Sequence, residues 1–351
     1  MITTTRRPFG ISGDGRTIYA YTMTNRHGSS VTVINYGAAI TSIVIQTAKG
    51  PVDVALGYRT LKEYEANDGY LGACIGRVAN RIGGAHFQLN GASYQLAAND
   101  GANHLHGGTR GFDKHYFQIS PDEKDPGCLH AVRISENGEE HYPGTLKVQV
   151  DYTWDDEHCL CITYRGQSDA DTPVNLTNHT YFNLSGENSK TILDHELTIH
   201  ARYFTENDAH CLPTGRILPV ERTPFDFRQT KAIGRDINDD HPQLRFGRGY
   251  DHNFIIEGSG MRPIARAYAP KTGIGMTVHS DMPGVQFYSG NSLTGQTGKS
   301  GIPYNPRSGF CLETQYYPNA LACPDFPSII LKKGQHYCHQ TIYAFDSGQT
   351  E

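Results

Sequence analysis

Hydrophobic residues recur at every second position through much of the chain, the period of a strand with one buried face. Residues 30–46 (SVTVINYGAAITSIVIQ) alternate in this way and are rich in Val, Ile and Thr, with Gly37 as the expected bend. His86-Phe-Gln-Leu, Asn90-Gly91 and Ala92-Ser-Tyr-Gln-Leu read as a hairpin, because Asn and Gly both tolerate the positive φ of a tight turn. The same period predicts strands over residues 130–135, 145–154, 160–168, 197–200, 264–268, 275–279 and 285–289. Turn clusters such as Glu136-Asn-Gly, Pro143-Gly and Pro270-Lys-Thr-Gly separate them. Helical periodicity is nearly absent; single turns are expected over 59–66 and 231–236. No Pro-rich or charged linker divides the chain, and no internal repeat is found. The pattern predicts one large all-β domain over residues 1–351, an antiparallel sandwich or barrel.

Composition narrows the function classes. The chain has 351 residues, 37% of them hydrophobic, with 21 Tyr and 14 Phe that need a core. That excludes a disordered chain. A formal net charge of −5, spread along the sequence, offers no basic patch for a phosphate backbone, so no nucleic-acid partner is expected. The longest apolar runs, such as residues 328–331, are far too short to span a bilayer. Residues 1–8 (MITTTRRP) lack the apolar core of a signal peptide. A cytoplasmic protein with no membrane partner is expected. The eight Cys include Cys159-Leu-Cys161 but no Cys-x-x-Cys, and reduced thiols are expected. Three sequons, at Asn175, Asn178 and Asn183, crowd into nine residues.

Two metal-like patterns carry little. His195 and His200 are five apart, not four, with strand-like residues between them, so they do not share a helical face. His104-Leu-His106 could set two imidazoles on one strand face, but a catalytic metal needs a third ligand. No nucleophile elbow or phosphate-binding loop is present.

Several segments mix turn glycines, Asn, His, Gln, Asp and aromatics in short polar runs. They are Gly76-Arg-Val-Ala-Asn80-Arg81-Ile, Asn103-His-Leu-His106-Gly-Gly-Thr-Arg-Gly-Phe-Asp113-Lys, and Asn175-Leu-Thr-Asn178-His179-Thr-Tyr-Phe-Asn-Leu. Gly249-Tyr-Asp251-His-Asn-Phe254, Gly284-Val-Gln286-Phe-Tyr-Ser-Gly-Asn and Gly309-Phe-Cys-Leu-Glu313-Thr-Gln-Tyr-Tyr-Pro-Asn follow. In that order, together with Ser135-Glu-Asn-Gly-Glu-Glu-His-Tyr-Pro-Gly, the set resembles the galactose mutarotase (aldose 1-epimerase) family over residues 9–345. The resemblance implies a large β-sandwich without cofactor or metal, acting on a small-molecule aldohexose as monomer or homodimer. It implies Glu313 as general base and His179 as general acid, with Asn80, Arg81, His106, Asp251 and Gln286 binding the sugar. His141 replaces a usual small residue in the acidic loop, away from these positions.

The residue types suit that chemistry. Mutarotation opens a hexose at C1–O5 and recloses it on the other face of the aldehyde. One group takes the C1 hydroxyl proton while another protonates O5, and a positioned pair contributes roughly 10²–10⁴-fold. A carboxylate is ionised at neutral pH and imidazole titrates near 6.5. Asn, Gln, Asp, His and Arg meet the paired donors and acceptors of sugar hydroxyls. Taken singly, each residue has a plainer reading: Glu313 as an exposed strand carboxylate, His179 as a structural histidine, Arg81 as a surface charge, Asp251 as a turn residue. Spacing does not bring these positions together; that expectation rests on the resemblance. The expected activity is interconversion of the α and β anomers of galactose, with glucose beside it. The alternatives are a hexose-phosphate epimerase, for which Arg81 and Arg110 are the candidate cations, and a non-catalytic sugar-binding or regulatory protein.

Overall fold

A computed structural model describes residues 1–66 and 69–347. The alternating runs form strands, and the buried positions fall where the period puts them. Along Leu146–Trp154, the side chains of Leu146, Val148, Val150, Tyr152 and Trp154 are all fully buried. Every strand ladder is antiparallel: a nine-stranded sheet, two five-stranded sheets and several two-stranded ribbons. The core lies between the sheets. Val148, Val150, Ile162, Met276 and Tyr343 of the large sheet meet Phe204, Phe254, Val285, Phe287 and Leu312 of one five-stranded sheet. Val31, Val33, Ile43 and Ile45 of the N-terminal sheet join the same cluster. The architecture is an antiparallel β-sandwich, as expected.

The run over 30–46 divides at the Gly37 bend into Ser30–Ile34 and Ile40–Thr47, which pair with each other. His86–Leu89 pairs with Ala92–Gln95, and Asn90 and Gly91 both take positive φ, as the hairpin required. A helix does form at Leu61–Glu65, where Glu63 accepts from the Thr60 backbone at 2.8 Å. The expected turn of helix over 231–236 is corrected. Lys231–Ala232 is a short strand paired with Glu196–Leu197, and the Lys231 amine is held by Pro224 O and Asp236 Oδ2, both at 2.6 Å. A helix was instead overlooked at Pro242–Gly247, six residues with Pro at the first turn and the His241 side chain accepting from Gln243 N. One and a half turns are too short to show a period. No helix among the described residues is long and apolar enough to cross a membrane.

Candidate active site

Three adjacent strands of a five-stranded sheet carry the acidic end of the site: Asp251–Ile256, Gly284–Tyr288 and Cys311–Gln315. Register aligns Asp251 with Tyr288, Asn253 with Gln286, Gln286 with Glu313, and Tyr288 with Cys311. Period two therefore puts Asp251, Asn253, Gln286, Tyr288, Cys311 and Glu313 on one face. The other face carries Phe254, Val285, Phe287 and Leu312 into the core. The sandwich thus supplies a rigid, core-backed platform for a polar face.

His179 comes from a separate segment. Its backbone N–H donates to Ala73 O at 2.9 Å, and its carbonyl accepts from Gly72 N at 3.0 Å. Asn178 Nδ2 donates to Gly72 O. Gly72 has φ +70°, and a Cβ there would sit 1.9 Å from Ile40 O, so only glycine allows this clamp. The three sequon asparagines of the region are buried, with amides bonded to Tyr316 O, Gly72 O and Ser308 O, out of reach of a glycan.

Asn80 and His106 meet reciprocally. Asn80 N donates to His106 Nδ1 at 3.1 Å, and His106 N donates to Asn80 O at 3.2 Å. Both have positive φ, a strain of about 1–3 kcal/mol for a non-glycine residue, less for Asn. Because Nδ1 accepts, the neutral His106 ring carries its proton on Nε2. Arg81 is gripped by two carboxylates, Asp100 at 2.7 Å and Asp251 at 3.8 Å.

These residues enclose a cavity of about 470 Å³. Asn80, Arg81, His106, His179, Asp251 and Glu313 line it, and Gln286 lies on the same strand face beside Glu313. Gln286 donates from Nε2 to Asp251 Oδ1 at 2.7 Å, and its buried Oε1 has no protein partner. His179 Nε2 and Glu313 Oε1 are 3.7 Å apart, and Glu313 Oε2 has no protein partner. A buried acceptor left open in this way is made for a ligand or water donor. Tyr70, Tyr181 and Tyr288 surround the imidazole, at ring-centroid distances of 5.8, 5.0 and 6.3 Å.

Burial sets the electrostatics. It pushes the Glu313 carboxyl well above the ordinary carboxylate range; the Asp251 carboxylate adds to the push and Arg81 opposes it. Burial also draws His179 down to about 4. His106 falls well below its ordinary value, by burial first and then through His179 and Arg81.

The two metal patterns resolve differently. His104 has both ring nitrogens engaged, by Ala97 O and the Tyr142 hydroxyl, each at 2.8 Å, so it cannot join His106 as a ligand. His106, His179 and Glu313 do offer three ligand atoms within 4.8 Å of one another. The Asn80 N–H on His106 Nδ1 leaves Nε2 protonated, a donor facing the group and not a lone pair.

Sequence reasoning overlooked several lining residues. Tyr288 lies two residues after Gln286 and Tyr181 two after His179. Strand period alone would have added Tyr288, and Cys311 two before Glu313. Asp100 and Arg248 also line the cavity, and no local pattern marks them.

Sandwich and cavity together define an all-β protein with a deep pocket lined by carboxyl, imidazole, amide and guanidinium groups. Residues 19–344 match the model of the family described as aldose 1-epimerase. Galactose mutarotase of Sus scrofa is 42% identical over 348 residues, covering 98% of this chain and 99% of its own. Aldose 1-epimerase of Escherichia coli (strain K12) is 34% identical over 340 residues, covering 95% and 97%. The crystal structure of galactose 1-epimerase from Lactobacillus acidophilus NCFM superposes with a TM-score of 0.88 at 28% identity, covering 99% and 100%. The chain belongs to the aldose 1-epimerase family, an isomerase class.

Proposed function

We propose that this protein is a mutarotase that interconverts the α and β anomers of galactose, and of glucose, as a single catalytic domain in the cytoplasm. The observation that carries the mechanism is the Glu313–His179 pair, 3.7 Å apart on the cavity wall, with one carboxylate oxygen open. Glu313 takes the proton of the C1 hydroxyl, the C1–O5 bond breaks, and its electron pair goes to O5. O5 receives the proton of His179. Rotation about C1–C2 turns the aldehyde, and the same two transfers run backwards on closure, so the pair ends as it began. Arg81, Asp251, Asn80, His106 and Gln286 hold the remaining hydroxyls, Gln286 also donating to Asp251.

The opposed shifts serve this cycle. It needs one proton shared between the two groups. The raised Glu313 keeps that proton above the ordinary carboxylate range, and the lowered His179 takes a second only near pH 4. The proton therefore rests on the Glu313 carboxyl and passes to His179 before Glu313 takes the C1 hydroxyl proton. A phosphorylated hexose fits less well: Arg81 is already met by two carboxylates, and Arg110 lines a different hollow beside Arg16 and Lys114.

The test is polarimetry on freshly dissolved α-D-galactose and α-D-glucose, before and after exhaustive EDTA treatment. Acceleration of both, unchanged by EDTA, is expected. Binding without acceleration would make the protein a sugar-binding member of the family. Loss that zinc restores would reassign His106, His179 and Glu313 to a metal centre.

A further inference from the structure

The strand that carries Glu313 touches the catalytic imidazole twice. Glu313 Oε1 faces Nε2 at 3.7 Å, while Cys311 Sγ lies 3.5 Å from Nδ1. Cys311 and Glu313 are two apart on the same strand face, and Cys311 is fully buried beside Leu56, Tyr181, Leu293 and Tyr304. The ring is also held by a hydrogen bond to its own backbone, so the thiol is the side-chain partner on the side of the ring that faces away from the reaction. A thiol can serve there in both charge states. Its sulfur accepts Nδ1–H of the imidazolium and of the neutral ring left when Nε2 has given up its proton. Sulfur is a weak acceptor, unlike the carboxylate that commonly backs a catalytic imidazole.

We propose that Cys311 is a positioning residue for the ring-opening step: its sulfur holds His179 through Nδ1, directs Nε2 at the substrate, and leaves the imidazolium a strong acid because the bond is weak. The proposal rests on His179 acting as the acid. Around His179, Glu313 and His106 are the groups that can carry charge, with the phenols of Tyr70, Tyr181 and Tyr288 against the ring and Arg81 and Asp251 beyond. All of these are left unaltered in the variants.

Cys311→Ser keeps a donor and supplies a stronger acceptor; Cys311→Ala supplies neither. The test is an NMR titration of the His179 imidazole in each folded variant, without sugar, beside kcat and KM for galactose. Cys311→Ser is expected to raise the His179 titration and carry the acid limb of kcat/KM upward with it. Cys311→Ala is expected to lower the titration and reduce kcat about tenfold, as for one lost hydrogen bond to a charged donor, with KM within about twofold. Titrations matching wild type in both variants would overturn the proposal, as would equal losses dominated by KM. Should the Ala variant not fold, the Ser variant decides alone: an upward shift supports the proposal and an unmoved titration overturns it. The titration reads Cys311 without turnover, whereas wild-type polarimetry reads the mutarotase activity, so the two failures are distinct.

Discussion

At Glu313 a carboxyl is buried without a full set of partners, beside a second acid. Such a residue opposes stability and serves reactivity. Glu313→Gln should lower kcat by roughly 10²–10⁴-fold, the contribution of a positioned base, with a smaller change in KM because the hydroxyl-binding residues are untouched. A folded variant within threefold of wild-type kcat, by initial polarimetric rates, would place the base elsewhere. The same substitution has a stability signature. A raised folded-state value makes the native state hold its proton where the unfolded chain has lost it. Wild-type stability therefore falls as pH rises above the ordinary carboxylate value of 4.5. Glu313→Gln should melt higher than wild type at pH 8, with the difference closing as pH approaches 4.5. The pH profile follows from the same pair. Because His179 is lowered to about 4, the acid limb of kcat/KM should lie well below 6.5, with a plateau through neutrality. Rates corrected for spontaneous mutarotation at each pH check this, and an acid limb at 6.5 would show a solvated imidazole.

At the scale of elements, the site depends on segments packed too closely for side chains. The loop after His106 turns at Gly107, where φ is +87° and a Cβ would stand 1.8 Å from Gly76 O. Across that contact lie Arg77, the Val78 and Ala79 backbone, and then Asn80, which is bonded to His106. Gly107→Ala should cost at least about 1–2 kcal/mol from the left-handed backbone alone, before the clash is relieved. It should also separate Asn80 from His106. A lower melting temperature together with a rise in KM larger than the fall in kcat is the expected result. A variant with wild-type KM would show that the Asn80–His106 link does not hold the sugar.

At the scale of the molecule, the sheets share one core and the single tryptophan sits in it. Trp154 belongs to the nine-stranded sheet, is fully buried, and donates Nε1–H to Ser29 O beside the N-terminal sheet at 3.2 Å. It also packs against Phe345. Its fluorescence therefore reports the joint between two sheets, while far-UV circular dichroism reports all strands. If the chain unfolds as one domain, the fluorescence, dichroism and mutarotase-activity transitions should coincide in denaturant. A fluorescence change well before the loss of dichroism would show that the N-terminal sheet separates first.

The sequence by itself determined which stretches are strands wherever one face is buried, because alternation survives in runs such as 145–154 without reference to neighbours. It determined the Asn90-Gly91 hairpin, whose geometry is local. Through the family's motifs it also named six of the residues that line the cavity, Asn80, Arg81, His106, His179, Asp251 and Glu313. Strands at Thr3–Ile11 and Ala201–Asn207 were not legible, since an edge strand with both faces largely exposed, or a bulged one, loses its period. Lys231–Ala232 reads as helix in isolation and became strand only through pairing with Glu196–Leu197. Tertiary structure alone decided the charge states. Burial, and the approach of Asp251 across 62 residues of sequence, pushed Glu313 well above the ordinary carboxylate range. Gln286 came to donate to Asp251 across the strands, and Cys311, with no polar signature in its sequence, came to face His179 Nδ1. The physical reason is common to all of these. Periodicity and turn chemistry act over a few bonds and are written in order along the chain, whereas desolvation and hydrogen-bond partnership depend on which distant segments share a volume.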